Sequence, residues 1–171
     1  GPLADAEVTA AAIDIQRTLG LTPADVRVRL SDRRVLQALL LSVGVAEGDL
    51  GAAYAAVDKI ERAPRIAEIV QEALVQTRSP AEVAARVIEI ARLRERSTLE
   101  AALAAALPGS AVAEDLFACM DALQAMGLGE FLEVDLSIVR GLAYYTGIVF
   151  ELFDAQRSLR AICGGGRYDG L

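Results

Sequence analysis

Two stretches toward the C-terminal end hold the residue types that bind and position ligands. They are Val139-Arg140-Gly141-Leu142-Ala143-Tyr144-Tyr145-Thr146-Gly147-Ile148-Val149-Phe150-Glu151 and Cys163-Gly164-Gly165-Gly166-Arg167-Tyr168-Asp169-Gly170-Leu171. Strand alternation sends Tyr145, Gly147, Val149 and Glu151 to one face and Tyr144, Thr146, Ile148 and Phe150 to the other. The second face is apolar and suits a core. The first sets a phenol, a bare backbone and a carboxylate side by side, the content of a small polar pocket floor. Arg140 reads either as a surface ion-pair partner or as a fixed cation aimed at phosphate or carboxylate. Three consecutive glycines are poor strand formers, so the run serves either close approach of backbone to a ligand or a bulge or sharp turn. No Gly-Lys-Ser/Thr ending or dinucleotide spacing is present, which argues against a phosphate loop. Arg167-Tyr168 beside the glycines favours binding. Glu133 and Asp135, two apart on one face, are explained by a solvated strand face without a catalytic pair.

Composition removes several other chemistries. With no histidine in 171 residues, Ser-His-Asp and Cys-His catalysis and most zinc sites are excluded. Cys119 reads as core and Cys163 as a small strand residue, and no metal site is encoded. The net charge of −7 argues against a surface that grips nucleic acid throughout, while leaving room for a local basic patch. Lys59 is the only lysine. The preference for arginine accompanies alanine richness as a composition bias and is not read as nucleic-acid evidence. At 54% apolar residues the chain can bury roughly two thirds of its unfolded surface without disulfides or metal. No run approaches the roughly 18 apolar residues of a membrane span and the start lacks a signal-peptide pattern, so the expected location is cytoplasmic, with no membrane partner.

The elements that would position these residues are legible from periodicity. Residues 3–19 carry Leu3, Val8, Ala11, Ala12, Ile15 and Leu19 near helical spacing, ended by Gly20. Val26, Val28 and Leu30 alternate with Arg27 and Arg29, predicting a half-buried strand. Ser31 to Arg34 offer a cap before Val35, Leu36, Leu39, Leu40 and Val43, which Gly44 stops. From Ala46 to Gly127 the signals are helical. Ser79-Pro80-Ala81-Glu82 reads as a capped start in which Glu82 reaches back to the cap, and Leu116, Cys119, Met120, Leu123 and Met126 form a core stripe. Strand signals resume over Phe131–Leu136, Tyr144–Phe153 and Leu159–Cys163. The pattern predicts an α+β protein: residues 1–45 and 128–171 form parts of a sheet domain, and 46–127 an all-helical insertion.

The two glycine- and tyrosine-containing strings resemble the two signature motifs of histidyl-tRNA synthetases. Val28 to Leu36 and Val57-Asp58-Lys59-Ile60 are similar to segments that flank and enter that family's helical insertion, so the resemblance spans essentially the whole chain. It implies part of a class II antiparallel catalytic sheet, and, in the complete homodimeric enzyme, activation of histidine with ATP followed by transfer to tRNA(His). Carried over by matching positions, Arg140 contacts the reacting carboxylate and α-phosphate. Tyr144, Tyr145 and Tyr168 belong to the histidine site, with Gly164, Gly165 and Gly166 as its backbone wall. Arg86, Arg92, Arg94 and Arg96 are candidate contacts with the tRNA acceptor arm, an ordinary solvated helix being the other reading. Ala143 stands where the family often has Asp, which bears on hydrogen bonding at the start of the strand. The remaining ATP-binding motifs and the anticodon-binding domain would lie outside this sequence. The chain alone is therefore expected to be inactive, with no site for ATP or its Mg²⁺ fully contained in it. The competing reading is the regulatory subunit of ATP phosphoribosyltransferase, a synthetase-like binding protein that generally has degenerate motifs and lacks a comparable insertion.

Overall fold

A computed structural model describes residues 1–139 and 145–170. Helix α1 (Pro2–Thr18) leads to strand β1 (Val26–Asp32) and helix α2 (Arg33–Ser42). Helices α3 (Leu50–Val57), α4 (Ile66–Ala73), α5 (Pro80–Ala91), α6 (Arg96–Ala106) and α7 (Glu114–Ala125) follow. Strands β2 (Leu132–Val134), β3 (Ile148–Asp154) and β4 (Cys163–Gly166) complete the described elements. The α+β class read from the sequence is present.

The sheet order is β2-β1-β3-β4. β1 pairs with β3, and β3 with β4, antiparallel, whereas β1 and β2 run parallel. The sheet is therefore mixed, antiparallel except at this one pair. A parallel neighbour needs a long crossover, and helices α2 to α7 supply it between β1 and β2.

Local chemistry accounts for most boundaries. Asp32 caps α2, its carboxylate accepting from the Arg34 N–H at 2.8 Å, and Gly44 leaves the helix at φ +101°. The capping box at α5 does not form. Ser79 sits at φ 52° and makes no side-chain cap bond, while Glu82 instead accepts from Arg86 at 2.9 Å. A capping side chain needs extended backbone to reach the first turn, and a left-handed residue does not provide it. The last strand also differs from expectation. Arg157 at φ 57° and an Asp154 carboxylate that accepts from the N–H groups of Ser158 and Leu159 prolong the turn. Pairing therefore resumes at Cys163 rather than Leu159.

Helix α1 is formed as expected, but with a different face inward. Ala6, Thr9, Ile13 and Gln16 are buried, and Leu3, Val8, Ile15 and Leu19 are exposed. Small residues at Ala6 and Thr9 let α1 pack closely on α7, and the Thr9 hydroxyl is satisfied by the Asp5 carbonyl at 2.8 Å. The main core joins Val28 and Leu30 of β1, Ile148, Phe150 and Leu152 of β3, and the inner faces of α2 and α7. The opposite face of the sheet carries a second, smaller cluster of Ile138, Tyr145 and Val149 with Phe153 packed against it. The chain separates these two faces by period-two alternation along β3.

Candidate functional site

The second sheet face is dominated by a charge network around Arg29. Its position on β1 sets it beside Glu133 of β2 and Glu151 of β3 in the strand register. The alternation of Val28, Arg29 and Leu30 predicts a half-buried strand, yet Arg29 is only 3% exposed. Its guanidinium lies 4.3 Å from the centre of the Phe153 ring and within 3.1 Å of Asp135 and 3.3 Å of Glu61. Glu61, from the segment between α3 and α4, also meets Arg94 at 3.0 Å and Arg157 at 3.1 Å. One carboxylate thus ties together the sheet, the end of α5 and the β3–β4 connection. Asp135 is wholly buried and corrects the reading of Glu133 and Asp135 as a solvated pair.

Burial and pairing compete at these two acids, with opposite outcomes. Burial pushes the Asp135 carboxyl above the usual aspartate value, and Arg94, Ser137 and Arg29 only partly counter it. Burial also opposes ionisation of Glu61. There the Arg94 hydrogen bond and the charges of Arg29, Arg94 and Arg157 prevail and hold its carboxyl below the usual 4.5. A lowered acid adds stability above its unfolded value and loses it as pH falls through its folded value. Glu61→Gln is therefore expected to destabilise the chain at pH 7, with a deficit that shrinks below about pH 4.5. Urea titrations across that range test this, and a pH-independent deficit would refute it.

The two C-terminal strings are zipped together by the backbone. The Thr146 N–H donates to the Arg167 carbonyl at 2.8 Å, and the Arg167 N–H to the Ile148 carbonyl at 2.9 Å. The Thr146 hydroxyl bonds the Asp169 carboxylate at 2.8 Å. Tyr145, 9% exposed, has its ring centre 6.4 Å from that of the exposed Tyr168. The glycine run is neither a bulge nor a turn. Gly165 lies opposite Phe150 and Gly166 opposite Val149 in regular pairing. A Cβ on Gly166 would stand 2.6 Å from both Tyr145 Cδ1 and Val149 Cγ1, and one on Gly165 would stand 3.1 Å from the Phe150 ring. The glycines make room for their neighbours' rings, and Gly166 in particular seats Tyr145.

Gly166→Ala is accordingly expected to displace Tyr145 and cost about 1 to 3 kcal/mol of stability through overpacking. Val149→Ala added to it should recover part of that loss by removing one of the two clashing groups. Denaturant midpoints for the single and double variants decide the matter; a neutral Gly166→Ala would contradict this packing.

The remaining sequence candidates are dispersed. Arg167 serves as an anchor rather than a free ligand group: it pairs with Asp5 of α1 and, at 3.3 Å, with Asp115 of α7. Arg86 pairs with Glu82 on an exposed face. Arg94 is held by Glu61, Asp135 and the carbonyls of Ala91 and Leu93. Arg96 pairs with Glu100 at 2.7 Å and with Asp121, and lies over the Phe117 ring. Arg92 is exposed at the end of α5. Arg92 and Arg94 line one cavity and Arg94 and Arg96 another, whereas Arg86 lines neither. Arg140 and Tyr144 lie outside the described residues. Arg29, Glu61, Asp135 and Arg157 were not singled out as site residues from the sequence. The one available signal was Arg29 itself, a charge in a strand otherwise rich in buried apolar residues.

A family model described as histidyl-tRNA synthetase matches residues 1–171. The chain belongs to the histidyl-tRNA synthetase family. Among curated members, the histidine–tRNA ligase of Opitutus terrae is 40% identical over 176 residues, covering 100% of this chain and 39% of the relative. The chloroplastic/mitochondrial histidine–tRNA ligase of Arabidopsis thaliana is 40% identical over 168 residues, covering 98% of this chain and 34% of the relative. The chain thus spans less than two fifths of the length of these family members. A histidyl-tRNA synthetase structure from Nostoc sp. PCC 7120 superposes with a TM-score of 0.84 at 23% identity, over 100% of this chain and 41% of that one. A Bacillus halodurans structure, titled an ATP phosphoribosyltransferase regulatory subunit/histidyl-tRNA synthetase, gives 0.78 at 24% identity, over 99% and 43%. These two likenesses speak to the fold of the family alone.

Proposed function

We propose that this chain is the part of a histidine–tRNA ligase that carries the histidine pocket and the helical insertion, in an enzyme that joins histidine to ATP and passes it to tRNA(His). The observation that carries this reading is the family match over every residue, supported by the side-by-side pairing of the two signature strings and the approach of Tyr145 to Tyr168. In this reading Tyr145 and Tyr168 line the histidine site. Tyrosine hydroxyls orient an imidazole without adding a competing charge. Gly164, Gly165 and Gly166 form its wall, with Gly166 seating Tyr145. Arg140 offers a permanently charged donor fork to the α-phosphate as the carboxylate attacks.

ATP and its Mg²⁺ would draw most of their contacts from the rest of a homodimeric, cytoplasmic enzyme, the metal arriving with the nucleotide's phosphates. The 171-residue chain by itself then forms no adenylate. Among the described residues, no helix is long and apolar enough to cross a membrane.

The rival role, as the regulatory subunit of ATP phosphoribosyltransferase, is favoured less, because curated relatives 40% identical to the chain are named as ligases. Histidine-dependent exchange of pyrophosphate into ATP by the complete protein separates the two. Exchange is expected; histidine binding without exchange would favour the regulator.

A further inference from the structure

Strand β4 poses a mechanical problem. It lies at one end of the described sheet order, and Gly164, Gly165 and Gly166 bring no side chains that could pack it in place. The residues just beyond must nevertheless be held accurately, because Tyr168 approaches Tyr145 there. Arg167 is the first side chain after the glycine run, and only 17% of it is exposed.

All three guanidinium nitrogens of Arg167 are engaged. Nε and one terminal nitrogen donate to the two carboxylate oxygens of Asp5 on α1, and the other terminal nitrogen donates to Asp115 on α7 at 3.3 Å. Asp115 is itself fixed from behind. It accepts from Arg34 at 2.9 Å, and Arg34 is paired at 2.6 Å with the wholly buried Asp32. The Arg34 hydrogen bond, with Arg167 adding to it, holds the Asp115 carboxyl below the usual aspartate value, so the clamp is charged at neutral pH. The stem of Arg167 lies across Gly147, where an added Cβ would stand 3.5 Å from Arg167 Cδ. The backbone of the same residue bonds Thr146 and Ile148. Neighbouring residues of an extended chain point to opposite sides. The anchor accordingly reaches the helices, while Tyr168 meets Tyr145 of the cluster on the other sheet face.

We propose that Arg167 is a positioning residue for histidine binding, which clamps the glycine-rich end of β4 to α1 and α7 and thereby sets the distance between Tyr168 and Tyr145. The inference rests on the reading of these tyrosines as lining the histidine site and goes beyond it in naming what holds them. Arg167 needs no contact with the amino acid, since its donors are occupied by Asp5 and Asp115. A binding site keeps its geometry, to within about 0.5 Å, only when the residues behind it lock those that touch the ligand. A lysine would not serve, because one ammonium does not present the planar fork that reaches two carboxylates at once. The clamp takes its second carboxylate from the helical run between β1 and β2, so a shift of α7 is transmitted to Tyr168.

Titration calorimetry of histidine, and separately of ATP, into the complete protein tests this. Arg167→Met should weaken histidine binding by up to about a hundredfold, the effect of a displacement of about 1 Å imposed from outside the site, and leave ATP binding nearly unchanged. Arg167→Lys should restore only part. Asp115→Asn keeps the shape of the side chain, removes its charge and should weaken histidine binding in the same sense, which supplies the answer even where Arg167→Met does not fold. Added to Arg167→Met it should cost little more, because the two residues act as one unit. Asp14→Asn, at an exposed ion pair on α1, should change neither affinity. Unaltered histidine affinity in Arg167→Met or Asp115→Asn, or equal losses for histidine and ATP, would overturn the proposal and leave Arg167 as a fold-stabilising residue alone. Histidine binding requires no catalysis, whereas pyrophosphate exchange decides the ligase reading, so the two fail separately.

Discussion

Arg29→Met is expected to remove about 3 to 5 kcal/mol of folding free energy, the usual cost of taking one partner from a buried ion pair. That loss is comparable to the whole stability of many domains, about 5 to 15 kcal/mol. The cause is Asp135, wholly buried and paired with Arg29 at 3.1 Å, which would keep only Arg94 as a counter-charge. The sign of the pH dependence follows from the upward displacement of the Asp135 carboxyl by burial. An acid whose folded value is raised favours the folded state at low pH and loses that advantage as pH rises through it. The deficit of Arg29→Met should therefore shrink on acidification and grow toward neutrality. Arg29→Met combined with Asp135→Leu should be less damaged than Arg29→Met alone, because an apolar pair leaves no unsatisfied charge. Urea unfolding of the three variants at several pH values measures this. A single variant within about 1 kcal/mol of the parent, the range of a surface ion pair, would refute the account.

Arg140→Ala in the complete enzyme is expected to slow adenylate formation about a hundredfold to a thousandfold, the effect of losing one preorganised donor at developing negative charge, roughly 3 to 4 kcal/mol. Arg140→Lys should recover only part, since an ammonium on a flexible stem does not reproduce the two-pronged guanidinium. Arg140 lies outside the described residues, so the expectation rests on its match to the family motif and on this chemistry. Single-turnover measurements at saturating histidine and ATP report the step directly. A rate within a few-fold of the parent would remove Arg140 from the reaction.

The same two residues show what kind of information a sequence holds. Arg140 is conspicuous because its neighbours along the chain form a specific string. Arg29 is not, because its partners come from positions 61, 133 and 135 and become neighbours only on folding. Likewise the glycine run was visible, but whether it answered a ligand, a bulge or a packing demand depended on the rings of Tyr145 and Phe150, which approach it from another strand. Helix α1 was readable as a helix. Which of its faces lay inward was not, because a close approach to α7 suited Ala6 and Thr9 better than the larger side chains opposite.

By itself, the sequence determined the α+β class, most element positions, the two signature strings and the family, since these depend on residues a few positions apart whose periodicity and capping chemistry are local. Only the tertiary structure decided the parallel β1–β2 pair, the ion network through Glu61, the seating of Tyr145 on Gly166 and the gathering of arginines from both the sheet and the helical segments. Those features depend on contacts between positions far apart in the chain, such as Arg157 and Glu61, 96 apart, and burial sets their energies, which no local window contains.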